Sequence, residues 1–276
     1  MTGGIQPCGY LLELSLDWIV LRASENVHRL LGESHVTLID EPLGNFVKAQ
    51  ALHDLRNLFS RLSATTGIAR AYRIRLTDGG ELFDIAFQQS KDRVILEAVQ
   101  SPAEGLGEAL TAVGGLADGL AGDDGAKLFD AAARRMRALT AFDRVTLLVG
   151  KSKATSSRTG VPFRAGANAT LSNGVPALVA DSVTAVVPVF PRDDPDSAIS
   201  IALLRGPSAD QRAELEERGF ASTMRVPAVL HGKAVGEFRL AHTKPRRPDF
   251  EVHAAAELFA QLFAMQLEID RLKAPG

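Results

Sequence analysis

Ile5-Gln6-Pro7-Cys8-Gly9-Tyr10-Leu11-Leu12 is the stretch on which the reading of this chain turns. Outward from it, residues 9–21 read as a strand, a turn near Ser15-Leu16-Asp17 and a second strand over 18–22, rich in branched side chains. Ser24-Glu25-Asn26 caps a short helix that carries Val27, Leu30 and Leu31 and stops at Gly32. A second helix is predicted over 50–62, because Leu52, Leu55, Leu58, Phe59 and Leu62 fall on one side. Three strands follow at 71–76, 82–89 and 94–99, with Asp78-Gly79-Gly80 turning the first into the second.

Composition narrows the class. The 276 residues suffice for two ordinary domains, and 46% hydrophobic with 23% charged residues is a soluble, globular balance. With 31 basic and 33 acidic residues the net charge is −2, and no basic run exceeds Lys244-Pro245-Arg246-Arg247, so nucleic acid is not an expected partner. The single cysteine excludes an internal disulfide and a cysteine zinc site, which suits a reducing cytoplasm. Met1-Thr2-Gly3-Gly4 lacks the features of a signal peptide, and no apolar run approaches the roughly 20 residues of a membrane span. A cytoplasmic protein without a membrane partner is the expectation.

Seven of the 24 glycines (105, 107, 114, 115, 119, 122, 125) and Pro102 crowd residues 101–125, which places a domain boundary there. Asp123 or Asp124 then caps a helix with Leu128, Phe129, Ala132, Met136 and Leu139 at helical spacing, and a strand follows at 145–149. The final helix starts at Pro248-Asp249. Its apolar residues Ala255, Leu258, Leu262, Met265, Ile269 and Leu272 step by 3 and 4 alternately, a coiled-coil seam, while Phe259 and Phe263 form a second stripe able to cover a sheet. Leu258, Leu262, Met265, Ile269 and Leu272 are therefore the candidate homodimer interface.

The Ile-Gln-Pro-x-Gly-x-Leu-Leu entry resembles the first strand of the PAS domain in bacterial phytochromes, which are bilin-binding light sensors. Phe83-Asp84-Ile85-Ala86-Phe87-Gln88-Gln89-Ser90 and Leu96-Glu97-Ala98-Val99 are similar to the last strands of that domain. Ala141-Phe142-Asp143-Arg144-Val145, Leu178-Val179-Ala180-Asp181, Val186-Val187-Pro188-Val189, Leu203-Leu204-Arg205 and Gly219-Phe220 to Met224 resemble, in order, segments of the phytochrome GAF domain. The resemblance runs from residue 5 to about 270. It implies an α+β fold of two domains, each an antiparallel sheet flanked by helices: PAS-like over 1–102, a Gly-rich linker or helix start over 103–125, and GAF-like over 126–276 ending in a long helix. It also implies a figure-of-eight knot, in which Ile5, Gln6 and Pro7 plug a lasso formed by residues 181–205.

The same resemblance makes the chemistry conspicuous by what is missing. Bilin binding calls for a thiolate, acidic and imidazole contacts to the pyrrole nitrogens, and basic partners for the propionates. The family's biliverdin cysteine lies upstream of Ile-Gln-Pro, where this chain has no cysteine; Cys8 stands instead at a frequent His position and reads as a half-buried residue beside the knot. The Pro-x-Ser-Asp-Ile-Pro segment should fall between Val149 and Leu178, which holds no acidic residue and is short by some tens of residues. Its start, including Lys151, Lys153 and Arg158, reads as a solvated polar loop. Gln211 replaces the pocket His of Ser-Pro-x-His, and Leu240-Ala241-His242 replaces Cys-His-His, so that Ala241 takes the terminal-ring position and His242 the second His. If a bilin binds, His242, Cys8 and Gln211 are its candidate contacts.

No Gly-x-Ser-x-Gly elbow, phosphate loop, dinucleotide glycine fingerprint or paired-His metal helix is present, so neither an enzyme nor a metal protein is expected. The reading is a PAS–GAF regulatory adaptor without cofactor, dimeric through its last helix and acting on an unidentified signalling protein. A biliverdin photoreceptor with a rearranged pocket, or a GAF domain for another small ligand, is the alternative.

Overall fold

In the computed structural model, described for residues 4–60, 67–104, 107–120, 125–161, 177–194 and 197–273, twelve strands follow in chain order. They are β1 (Gly4–Ile5), β2 (Gly9–Ser15), β3 (Val20–Ser24), β4 (Ala69–Ile74), β5 (Phe83–Ser90), β6 (Arg93–Gln100), β7 (Arg144–Val149), β8 (Ser152–Ser157), β9 (Leu178–Val179), β10 (Val187–Phe190), β11 (Ser222–Leu230) and β12 (Lys233–His242). The α-helices are α1 (His28–Leu31), α2 (His35–Leu38), α3 (Ala49–Ser60), α4 (Glu108–Asp118), α5 (Gly125–Thr140), α6 (Ala209–Glu217) and α7 (Phe250–Lys273). Two units result: Met1–Pro102 with Val183–Ser208, and Ala103–Ser182 with Ala209–Gly276. This is the expected α+β pair of antiparallel sheets with flanking helices.

The first unit is a seven-stranded sheet ordered β1-β10-β3-β2-β6-β5-β4. Alternation along β6 explains its two faces. Val94, Leu96 and Ala98 join Leu12, Leu14, Trp18, Leu55 and Phe87 in the core beneath α3, whereas Ile95 joins Ile5, Leu11, Val189, Ala198 and Ala202 on the opposite side. The second strand begins at Val20, later than predicted, because Trp18 adopts φ 67° and Trp18 N–H closes a turn on Ser15 O at 3.0 Å. Its indole thereby drops into the core, edge-on to Phe59 and Phe87.

The described residues of 183–194 and 197–208 form a strap over the second face of this sheet, a part of the first unit that the sequence-based division at 102 did not include. The N-terminal segment meets the strap on both edges. Gly4 and Ile5 pair with Pro188 and Val187 on one side, while Ile5 bridges to Arg205, Gln6 N–H donates to Leu204 O (2.8 Å) and Gly206 N–H to Gly4 O (2.8 Å) on the other. Gly206 is needed for this approach: a Cβ there would lie 2.1 Å from Val186 Cγ1 and 3.3 Å from Gly4 O.

Two buried carboxyls on the sheet hold the strap. Glu13 on β2 accepts the Ala198 N–H (2.5 Å) and Ser197 Oγ–H (3.3 Å), and pairs with Arg22 (3.0 Å) and Arg93 (3.4 Å). Arg22 also donates to Pro191 O at 2.8 Å and to Ser197 Oγ, and Arg93 forks onto Asp194 at 2.6 and 3.3 Å. Glu97 on β6 accepts the N–H groups of Leu203 (2.9 Å) and Leu204 (2.6 Å).

The second unit is a five-stranded sheet ordered β8-β7-β12-β11-β9. Phe238 on β12 packs edge-on against Phe259 and Phe263 of α7, so this stripe covers the sheet as the spacing predicts. Ala255 of the proposed seam is fully buried with it, while Leu258, Met265, Ile269 and Leu272 are exposed and Leu262 is half-buried. Asp249 Oδ1 caps α7 by accepting the Glu251 and Val252 N–H groups, each at 2.9 Å. The glycine-rich stretch carries a full helix, α4, whose first turn is capped from α7: Glu251 accepts the N–H groups of Gly107 (2.7 Å) and Ala109 (3.1 Å). Ser152–Ser157 is an edge strand rather than a polar loop, with Ala154 and Ser156 turned inward. Asp123 and Asp124, the predicted caps of α5, lie outside the described residues.

Candidate functional site

Strand register decides which side chains share the face of the second sheet away from α7. Thr223 pairs with Ala241, Arg225 with Arg239, and Pro227 with Glu237, so alternation puts Thr223, Arg225, Glu237, Arg239 and Ala241 on one side. Met224, Val226, Phe238 and Leu240 point the other way, into the core. β7 extends the polar face, since Thr146 lies opposite Arg239 and Leu148 opposite Glu237.

Glu237 is the centre of this face. Its Oε1 accepts Arg225 Nε (2.9 Å) and Nη2 (2.6 Å), and its Oε2 accepts Arg239 Nε. The three side chains retain only about a fifth of their exposure or less: 22%, 21% and 16% for Arg225, Glu237 and Arg239. Two guanidinium groups thus converge on one carboxylate. Among the described residues, Arg239 Nη1 and Thr223 Oγ1 on this face are buried side-chain donors without a hydrogen-bond partner.

The predicted contacts fall in different places. Cys8 belongs to the first unit and is exposed, not half-buried: it occupies the outer corner of the turn between β1 and β2, closed by Gly9 N–H to Gln6 O at 3.4 Å. Gln211 lies early in α6, half-buried. His242 is the last residue of β12, with Nδ1 3.1 Å from Lys244 N and 3.0 Å from Lys244 O. Its Nε2 faces Asp143 Oδ2 at 3.5 Å, and its ring meets Phe142 edge-on. Burial alone would raise the Asp143 carboxyl, but hydrogen bonds from Thr243 N–H (3.1 Å) and Oγ1–H (2.9 Å), with the charges of His242 and Arg158, hold it below its ordinary value. His242 is thus committed to a structural cluster at the sheet's end, which Arg246 closes by stacking over Phe142 and donating to Ala141 O at 2.7 Å. Ala241, by contrast, shares the face of the Arg225–Glu237–Arg239 network.

The sequence reading passed over that network and both strap carboxyls. The available signal was charge set within an otherwise apolar strand, at alternate positions in Gly236-Glu237-Phe238-Arg239-Leu240 and singly in Leu12-Glu13-Leu14 and Leu96-Glu97-Ala98. Among the described residues no group of acidic, His or Cys side chains has the arrangement of a metal site, and no helix is long and apolar enough to cross a membrane.

Comparison with known proteins agrees with the geometry. The PAS fold family model matches residues 1–98, and the GAF domain family model matches residues 124–270. The bacteriophytochrome of Pseudomonas aeruginosa is 26% identical over 294 aligned positions, which cover 97% of this chain and 39% of the relative; the chain thus spans about two-fifths of that protein's length. The chromophore-binding domain of an unusual bacteriophytochrome from R. palustris superposes with a TM-score of 0.79 at 23% identity, covering 99% of this chain and 97% of that one. That of Stigmatella aurantiaca phytochrome P1 gives a TM-score of 0.77 at 22% identity, covering 99% and 96%. Since the GAF model alone accounts for more than half of the residues, this chain belongs to the GAF domain family, with a PAS fold ahead of the GAF domain and the fold of bacteriophytochrome chromophore-binding domains.

Proposed function

We propose that this module is a regulatory adaptor that works without bilin, by contact with another signalling protein in the cytoplasm, and without catalysis of its own. One observation carries the reading: the face bearing Ala241, the terminal-ring position by resemblance, is taken up by the long side chains of Arg225, Glu237 and Arg239, tied together as ion pairs. Taking a large apolar ring system onto that face would strip partly buried charges of their partners, at several kcal/mol per ion. The absence of a His at Gln211 and the outward placement of Cys8 support the same conclusion.

Dimerisation belongs to this proposal. Leu258, Met265, Ile269 and Leu272 line the exposed side of α7, with Leu262 between them, and suit a second copy of the helix. The N-terminal residues Ile5, Gln6 and Pro7, bracketed on both edges by one strap, are proposed to thread it as a knot.

Co-expression with heme oxygenase, purification and a visible spectrum before and after red light test the reading. A colourless dimer is expected. A far-red band that shifts reversibly would overturn it in favour of a biliverdin photoreceptor, and Cys8→Ser would then test attachment. The unpartnered Thr223 Oγ1 and Arg239 Nη1 favour a second reading, in which the GAF face takes a small anion. Thermal stabilisation by phosphate or simple carboxylates, lost in Arg239→Ala, would distinguish it.

A further inference from the structure

Glu97 is fully buried on the strap side of β6. Its Oε1 accepts the Leu204 N–H, and its Oε2 accepts the Leu203 N–H and, at 3.3 Å, the Gln88 side-chain N–H. Glu13, the other carboxyl beneath the strap, has two guanidinium groups against it. Among the described residues no guanidinium stands against Glu97 in that way; Arg70 acts on it at longer range. Burial therefore dominates, and the strap and Gln88 hydrogen bonds offset it only in part, so that the carboxyl is pushed up to about 7.

We propose that docking of residues 197–206 onto β6 is coupled to proton uptake by Glu97, so that the strap holds more tightly in mildly acidic than in mildly alkaline solution. With the strap lifted, the carboxyl meets water and binds its proton only in the ordinary carboxylate range. Linkage then sets the sign: the state with the higher proton affinity, here the covered one, is favoured as pH falls. The covered site has room for that proton in hydrogen-bonding terms. The Gln88 amide can turn its Oε1 toward a proton on Glu97 Oε2, while Glu97 Oε1 keeps the Leu204 N–H and the remaining lone pair of Oε2 serves Leu203.

Among the described residues, the charged groups on this side include Glu13 (β2), Arg22 (β3), Arg70 (β4), Asp84 (β5), Arg93 (β6), and Asp194 and Arg205 on the strap. Of these, Arg70 is the one whose charge is felt at Glu97.

Hydrogen exchange of the Leu203 and Leu204 amides in the intact chain, corrected for the intrinsic rate at each pH, reads the coupling. Their protection is expected to fall roughly thirtyfold between pH 5.5 and 8 while the Leu96 amide of the ladder holds constant. Glu97→Gln, an isostere of the protonated acid, should keep the acid-side protection throughout. If that variant does not fold, a carbon-13 titration of the Glu97 carboxyl in the unaltered chain decides: a midpoint near neutrality, shared with the two amide resonances, is the expected result. Protection that is flat or rises with pH, a carboxyl midpoint in the ordinary range, or an unchanged pH dependence in Glu97→Gln overturns the proposal.

Discussion

Glu13→Ala would leave Arg22 without its carboxylate in a buried setting, remove one of the two carboxylates on Arg93 and leave the Ala198 N–H without its acceptor. Breaking a buried pair in this way costs about 3–5 kcal/mol, to be read from urea unfolding; a loss under about 1 kcal/mol would show that the strap is held by apolar contacts alone. Glu97 belongs to the same scale and adds a pH dependence of its own. Its folded value near 7 exceeds the ordinary 4.5, so its contribution to stability is complete below the lower figure and lost as pH rises through the upper one. The wild type should therefore lose on the order of 3 kcal/mol relative to Glu97→Gln between about pH 4.5 and 7.5, measured as the difference between their unfolding free energies along a pH series.

At the scale of elements, α7 does two jobs with two faces. Its Glu251 caps the first turn of α4 with a charged acceptor, so Glu251→Ala should cost about 1–3 kcal/mol and raise hydrogen exchange through Glu108–Asp118 before the rest of the second unit responds. Its exposed face is separable from folding. Met265→Glu with Ile269→Glu should halve the mass in light scattering while shifting unfolding by no more than about 1 kcal/mol, because both side chains are nearly half exposed. Most elements were legible as patterns: short apolar runs after the Asp78-Gly79-Gly80 turn marked β5 and β6, and the spacing of Phe259 and Phe263 marked the sheet-covering stripe. β8 escaped because Lys153, Thr155 and Ser157 are exposed and only Ala154 and Ser156 turn inward, too little apolar signal for an edge strand. The ion network of the GAF face escaped for another reason. Arg225 and Glu237 are twelve residues apart and meet only through the β11–β12 register, which no local spacing expresses.

At the scale of the molecule, the strap links sequence positions that local patterns cannot join. The lasso at 181–205 came from resemblance, and what it rests on, Glu13 and Glu97, emerges only once β2, β3 and β6 lie side by side. Deleting residues 1–8 should lower the protection of the Leu203 and Leu204 amides at every pH, since Ile5 and Gln6 brace that end of the strap. Intact protection after the deletion would place all of the anchoring on the two carboxyls.

The bracketing of β1 also has a consequence for how the protein is made. Gly4 and Ile5 are translated long before the residues that pair with them, 187–188 on one edge and 204–206 on the other, which follow some 180 to 200 residues later. At about 5–20 residues per second, that is a delay of roughly 10–40 s. Throughout it β1 lacks its strap partners on either side, and two carboxyls destined for burial stand in water. A ribosome that stalls before the strap is complete releases a first domain with an open edge and an unroofed face, ready for a chaperone or a protease. Completion of the first domain is thus delayed until most of the second has been translated.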